Sequence, residues 1–279
     1  MTTKTKNKLG IIAGEGKFPV LIAKGAKAKG WEVFVLGIKN NTDIEAITPY
    51  ADKIIILKLG QLSSALKFLK ENGVTKAVMA GRVEHINIFT IMPDLRAAKV
   101  LASMRDMRAQ SILDAVLAEF KKEGVEFAPS SLFLEDCVPQ NKDVLSSRQP
   151  TEEEKQNIEL GLKISKTLAG LDVGLTSVIC DKAVLAVEAM EGTDNCIKRG
   201  GEIYKASLSI KKSPIVIVKV ARPKQDDRYD LPVIGKGTIR SMVEAGAQVL
   251  AFEAGKTVVL DLEEVVKLAN KNNICLLAI

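Results

Sequence analysis

The densest concentration of groups able to do chemistry lies between Lys219 and Arg240, in KVARPKQDDRYDLPVIGKGTIR. Lys219, Arg222, Lys224 and Arg228 are interleaved there with Asp226, Asp227 and Asp230, while Pro223 and Pro232 stiffen the backbone. Clustered carboxylates suit a hard divalent cation, neighbouring cations suit phosphate oxygens, and the free amides opening the next helix suit an anion. The chemistry implied is that of phosphate. A solvated loop whose charges pair only with one another is the competing reading.

Two further stretches carry compatible groups. Glu188, Glu191 and Asp194 form a second acidic run, in which Gly192 permits a tight turn and Asp194 can cap the following helix. Two acidic runs in one domain, each at the end of a β-rich segment, favour a shared cation site. Near the amino end, Gly14-Glu-Gly16-Lys-Phe-Pro19 has the pattern of a strand-to-helix turn that lets backbone amides approach a phosphate. Pro19 replaces the third glycine of a dinucleotide fingerprint, and no acid follows the next strand to hold a ribose, so a nicotinamide cofactor is disfavoured. The lone His85 has no partnering motif and is a weak catalytic candidate.

The elements that must position these groups alternate. Apolar runs at 9–13, 31–36, 53–57 and 76–79 alternate with helical periodicity at 20–29 and 63–72, which implies a parallel sheet. Ligands of such sheets collect beyond the carboxyl ends of the strands, where Gly14, Gly16, Gly81 and Arg82 gather. Two helices at 94–104 and 110–123 and short strands at 125–127 and 132–134 follow. Apolar periodicity stops between Cys137 and Pro150, which marks a boundary. Thr151 and Glu154 then open a helix as a capping box. Strands at 172–180, 183–187, 214–218, 247–252, 257–260 and 274–279 complete the chain, with helices led by Thr238 and Asp261. The expected fold is α/β: a Rossmann-like domain with a parallel sheet over 1–138, a linker over 139–150, and a domain with a mixed sheet and helices over 151–279.

Composition bounds the function. Of 279 residues 47% are hydrophobic and 27% charged, and no apolar run approaches the roughly 20 residues of a membrane helix. The basic start is broken by Gly10, Gly14 and Gly16 and does not read as a secretory leader, so a cytoplasmic location is expected. Cys137, Cys180, Cys196 and Cys275 lack the spacing of a zinc site or a disulfide framework. A net charge of +6 with 4% aromatic residues disfavours nucleic acid and fits an anionic substrate or peripheral contact with an anionic membrane.

The series GIIAGEGKFP (10–19), AGRV (80–83), DVG (172–174), VEAMEGTD (187–194), QDDRYDLPVIGKGTI (225–239) and FEAGKTVVLD (252–261) resembles the UDP-2,3-diacylglucosamine pyrophosphatases of lipid A biosynthesis over nearly the whole chain. The resemblance implies Mg²⁺-dependent cleavage of the pyrophosphate of a diacylated UDP-sugar into UMP and 2,3-diacylglucosamine 1-phosphate. It implies two α/β domains holding that substrate between them, and a homodimer. Asp230 of the DLP element is then the essential carboxylate, with Asp226, Glu191 and Asp194 as the other metal ligands. Lys219 and Arg228 stabilise non-bridging oxygens, and Gly14, Gly16, Gly81, Arg82, Gln225, Thr193 and Thr238 are the expected substrate contacts. Arg108-Ala-Gln110, Leu175 and Arg222 depart from the family's pattern. A phosphohydrolase acting on another nucleotide sugar and a non-catalytic nucleotide or lipid binder are the alternatives.

Overall fold

Runs of β-branched residues separated by amphipathic stretches dictate layers of helix on sheet, and a computed structural model describes them over residues 6–82, 92–104, 109–207, 213–223 and 231–279. The chain divides into two compact units, one within Met1–Leu134 and one within Glu135–Asp226 and Asp230–Ile279. Both are α/β, as the sequence implies.

The first unit contains β1 (Lys8–Ala13), α1 (Phe18–Ala28), β2 (Glu32–Ile38), α2 (Ile44–Ile47), β3 (Lys53–Leu57), α3 (Leu62–Glu71), β4 (Lys76–Ala80), α4 (Leu95–Ala102), α5 (Ala109–Lys122) and β5 (Glu126–Phe127). The strands form one parallel sheet in the order β3-β2-β1-β4-β5. Strand order therefore reverses between β1 and β4, which opens a crevice at the carboxyl edge. Leu9, Ile11, Val33, Val35 and Val78 are fully buried, as expected where helices cover both faces of a parallel sheet. The stretch 132–134, expected as a strand, is a turn instead. Leu132 and Leu134 donate to Pro129 O and Ser131 O, and the Phe133 ring packs edge-on against Trp31 at 5.2 Å. Its apolar residues cover α1 and pair with no strand.

The second unit contains α6 (Glu152–Gly170), β6 (Thr176–Cys180), β7 (Ala183–Val187), α7 (Thr193–Ala206), β8 (Ile215–Lys219), β9 (Val233–Ile234), α8 (Lys236–Ala245), β10 (Ala247–Phe252), β11 (Val258–Val259), α9 (Leu262–Lys271) and β12 (Cys275–Ala278). Its main sheet is mixed, in the order β12-β10-β8-β6-β7, with β6 antiparallel to both neighbours. Alternation along β8 sorts the core. Ile215 and Ile217 pack with Ile197, Met242 and Val265 on the side of α7, α8 and α9, and Val216 and Val218 pack with Ile158 and Ala169 of α6 on the other. Gly161 lets α6 approach, since a Cβ there would lie 2.5 Å from Val218 Cγ2. The capping box opening α6 forms as its sequence implies, with Thr151 N donating to Glu154 Oε2 at 2.8 Å. Val233–Ile234, read from sequence as loop, pairs in parallel with Val258–Val259.

Candidate active site

In the second unit the mixed sheet determines which residues meet. Because β6 runs antiparallel to β8, its first residue sits beside the last of β8, and Thr176 pairs in register with Lys219. Strand β7 is antiparallel to β6, so its exit, Val187–Glu188, arrives at the same edge. Lys219 is 4% exposed, and its Nζ donates to Thr193 Oγ1 at 2.6 Å. Thr193, the first residue of α7, donates its hydroxyl to Glu188 Oε1 at 3.0 Å, and Thr176 Oγ1 stands 3.5 Å from Thr193 Oγ1. Gly174 is required for this approach: a Cβ on it would lie 2.0 Å from Glu188 O.

A second carboxylate braces the chain as it leaves β8. Glu253, just past β10, accepts from Ala221 N and from Lys166 Nζ, each at 2.6 Å. Burial raises the Glu253 carboxyl, but the Lys166 ammonium and the Ala221 amide outweigh it and leave the group below its usual range. Arg222 follows, with Nε 2.7 Å from Asp172 Oδ1. Glu253 is not singled out by the sequence, where its only signal is a place in FEAGKT, and Glu188 is named there only as a member of the second acidic run.

The remaining residues expected at the site divide in three. Asp226, Arg228, Asp230 and Gln225 lie outside the described residues, as does His85. Glu191 is paired with Arg199, which holds its carboxyl below the usual range, and it also accepts from Ala189 N at 3.1 Å. Asp194 was expected as a helix cap, but Gly192 (φ +80°) occupies that position, and Asp194 Oδ1 instead accepts from Thr238 Oγ1 at 2.9 Å. Thr238 lies in the first turn of α8, so this bond joins the openings of α7 and α8. Among the described residues no group of three or more His, Cys, Asp or Glu could hold a metal ion. Glu191 and Asp194 are thus engaged with Arg199 and Thr238 and do not fit a shared cation site with other described residues.

In the first unit, Gly14, Gly16, Gly81 and Arg82 do come together beyond the carboxyl ends of β1 and β4. Glu15 N donates to Arg82 O at 2.8 Å, and Arg82 N donates back to Glu15 O at 3.1 Å. Gly14 and Gly81 make this closure sterically possible: a Cβ on either would meet backbone of the facing loop at 2.6 Å. Gly16 (φ +96°) faces open space. Lys39, Lys58 and Arg82 follow β2, β3 and β4 and are exposed, so the edge is cationic. A cavity of about 560 Å³ lies at the opposite edge, lined by Lys8, Glu32, Asp52, Lys53 and Asn72. Lys8 and Lys53 there already bind Asn72, and the amino ends of parallel strands are not where such folds place ligands. The cysteines are packing groups: burial pushes the Cys196 thiol up to about 12 and those of Cys180 and Cys275 to about 11.

Comparison with known proteins covers both units. Residues 8–137 match the family described as LpxI N-terminal domain, and residues 141–277 match the LpxI C-terminal domain. A Caulobacter vibrioides protein named UDP-2,3-diacylglucosamine pyrophosphatase LpxI is 32% identical over 269 residues, 94% of each chain. Two solved structures are far more remote. The phosphoribosylglycinamide synthetase of Anaerococcus prevotii is 14% identical with a TM-score of 0.25, the match spanning 69% of this chain and 34% of that one. The N5-carboxyaminoimidazole synthetase of Staphylococcus aureus is 14% identical with a TM-score of 0.27, spanning 73% and 46%. A likeness that low carries neither fold nor activity across. The expectation of Mg²⁺-dependent hydrolysis is corrected at this point. The relative's name supports a pyrophosphatase and gives no support for Mg²⁺ dependence, and Glu191 and Asp194, expected as ligands, are bonded to Arg199 and Thr238.

Proposed function

The chain belongs to the LpxI family, and on that premise we propose that it is a UDP-2,3-diacylglucosamine pyrophosphatase, splitting the pyrophosphate link to release UMP and a diacylated sugar phosphate. The observation that carries this reading to particular residues is the buried Lys219, fixed at a sheet edge where the segment bearing Asp226 and Asp230 begins. A pyrophosphate is polyanionic, so attack by water needs preorganised positive charge on its non-bridging oxygens and an oriented nucleophile. Lys219 and Arg228 supply the charge, and Asp230, aided by Asp226, orients the water. Thr193, Thr238 and Gln225 contact the substrate, and the cationic edge at Gly14, Gly16, Gly81 and Arg82 attracts its nucleotide phosphate.

The protein works as a cytoplasmic homodimer that touches the membrane only peripherally. Its net charge of +6 favours anionic headgroups, and no described helix is long and apolar enough to cross a bilayer. Analytical ultracentrifugation and vesicle co-sedimentation test these two attributes. UMP release from UDP-2,3-diacylglucosamine by the purified chain tests the activity, beside Asp230→Ala. Turnover by the wild type and none by a folded variant is the expected result. An inactive wild type overturns the activity, whereas cleavage of an unacylated UDP-sugar alone overturns the substrate.

A further inference from the structure

Resting on that reading of the site, we infer that Glu188 is a positioning residue that acts through the Thr193 hydroxyl to aim the Lys219 ammonium at the substrate's pyrophosphate. Donor and acceptor inventory sets the direction of the chain. An ammonium only donates, a carboxylate only accepts, and a threonine hydroxyl has one proton to give. Thr193 therefore accepts from Lys219 at 2.6 Å and spends its own proton on Glu188 Oε1 at 3.0 Å. Thr176 Oγ1 is a further neighbour, 3.5 Å from Thr193 Oγ1. No proton moves along this chain; it holds a nitrogen in place.

Two observations give Glu188 a task beyond packing. Its second oxygen, Oε2, is buried and has no hydrogen-bond partner among the described residues, which is unfavourable for a carboxylate kept only to fill space. A neutral side chain would fill that space at lower cost. Its charge is instead opposite in sign to Lys219, itself almost fully buried, and the two are joined through one hydroxyl. A lysine stem has four rotatable bonds, so a buried ammonium is directed only if something restrains it. Its bond to Thr193 is one restraint that fixes where the nitrogen lies.

The relay predicts a loss in turnover and not in binding. Thr193→Val keeps the shape of the side chain and removes the hydroxyl; it lowers kcat about 10- to 100-fold, the scale of a misplaced catalytic group, with KM within about 3-fold. Thr193→Ser restores the hydroxyl and recovers most of that loss. Glu188→Gln lowers kcat in the Thr193 background and has no further effect in the Thr193→Val background, because the link it acts through is already cut. Wild-type kcat in Thr193→Val, a Thr193→Ser variant as slow as Thr193→Val, or an equal Glu188→Gln loss in both backgrounds would each overturn the relay. If the wild type releases no UMP, the functional reading and the relay fall together. If it does and the variants are indifferent, only the relay falls.

Discussion

The two units present their carboxyl sheet edges in opposite ways. The first ends its strands in exposed cations, Lys39, Lys58 and Arg82, around a glycine-closed turn. The second ends them in a largely buried, directional network, with the half-buried Glu188 and Thr193 in series with the buried Lys219, and Glu253 bracing Ala221 beside them. Exposed charges attract an anion from a distance but do not aim at it, and salt screens them. Buried, hydrogen-bonded charges lose little to screening and are held in one geometry. The first arrangement suits attraction of an anion, the second the holding of a charged group in one geometry.

The largest effect expected from this contrast is on Lys219. Lys219→Met should lower kcat for UMP release by about 100- to 1000-fold, the scale of losing one preorganised transition-state contact. A loss confined to KM would make the second edge a capture site like the first. Next is Gly174→Ala, whose new Cβ would press on Glu188 O; it should destabilise the fold by about 3 kcal/mol in urea denaturation. Gly16→Ala, with a left-handed backbone but open space, should cost only about 1 kcal/mol. Equal losses would mean that the two edges are packed alike.

At the first edge, replacing both Lys39 and Arg82 by serine should raise KM about 3- to 10-fold at low salt and leave kcat in place. The difference from wild type should shrink near 0.5 M salt, since the Debye length falls to about 3 Å by 1 M. An unchanged KM would remove the capture role. The smallest effect concerns Glu253. Its folded-state carboxyl lies below the usual 4.5, so its contribution to stability is present above that value and is lost as pH falls through the folded-state pKa. Glu253→Gln should therefore be less stable than wild type at pH 7, and the two should converge in thermal melts as pH falls through that lowered pKa. Parallel curves across that range would show that the brace adds nothing.

Much of this architecture was legible in local pattern. The IVIV run of β8, the capping box of α6, the alternating elements of both units and the glycines gathered past β1 and β4 all follow from periods and caps spanning a few residues. The apolar stretch 132–134 misled because burial under a loop leaves the same signal as burial in a short strand. Val233–Ile234 was hidden for the converse reason: two residues are too few to show alternation, and their partner strand lies at Val258–Val259.

The site divides along the same line. The family could be read from motifs spread over the chain, and the stretch from Lys219 into the following acids could be nominated for phosphate from residue types alone. That Lys219 meets Thr193 and Glu188, that Asp194 bonds Thr238 and not its own helix, and that Glu253 secures Ala221 could not. Those partners are 26 to 44 residues apart, apart from the Thr193–Glu188 step within one turn. Local sequence determines which face a side chain takes and where an element begins, because periodicity and capping act over one or two turns. Which side chains then share an edge depends on strand order and register. Only the antiparallel placement of β6 between β7 and β8 decided that here.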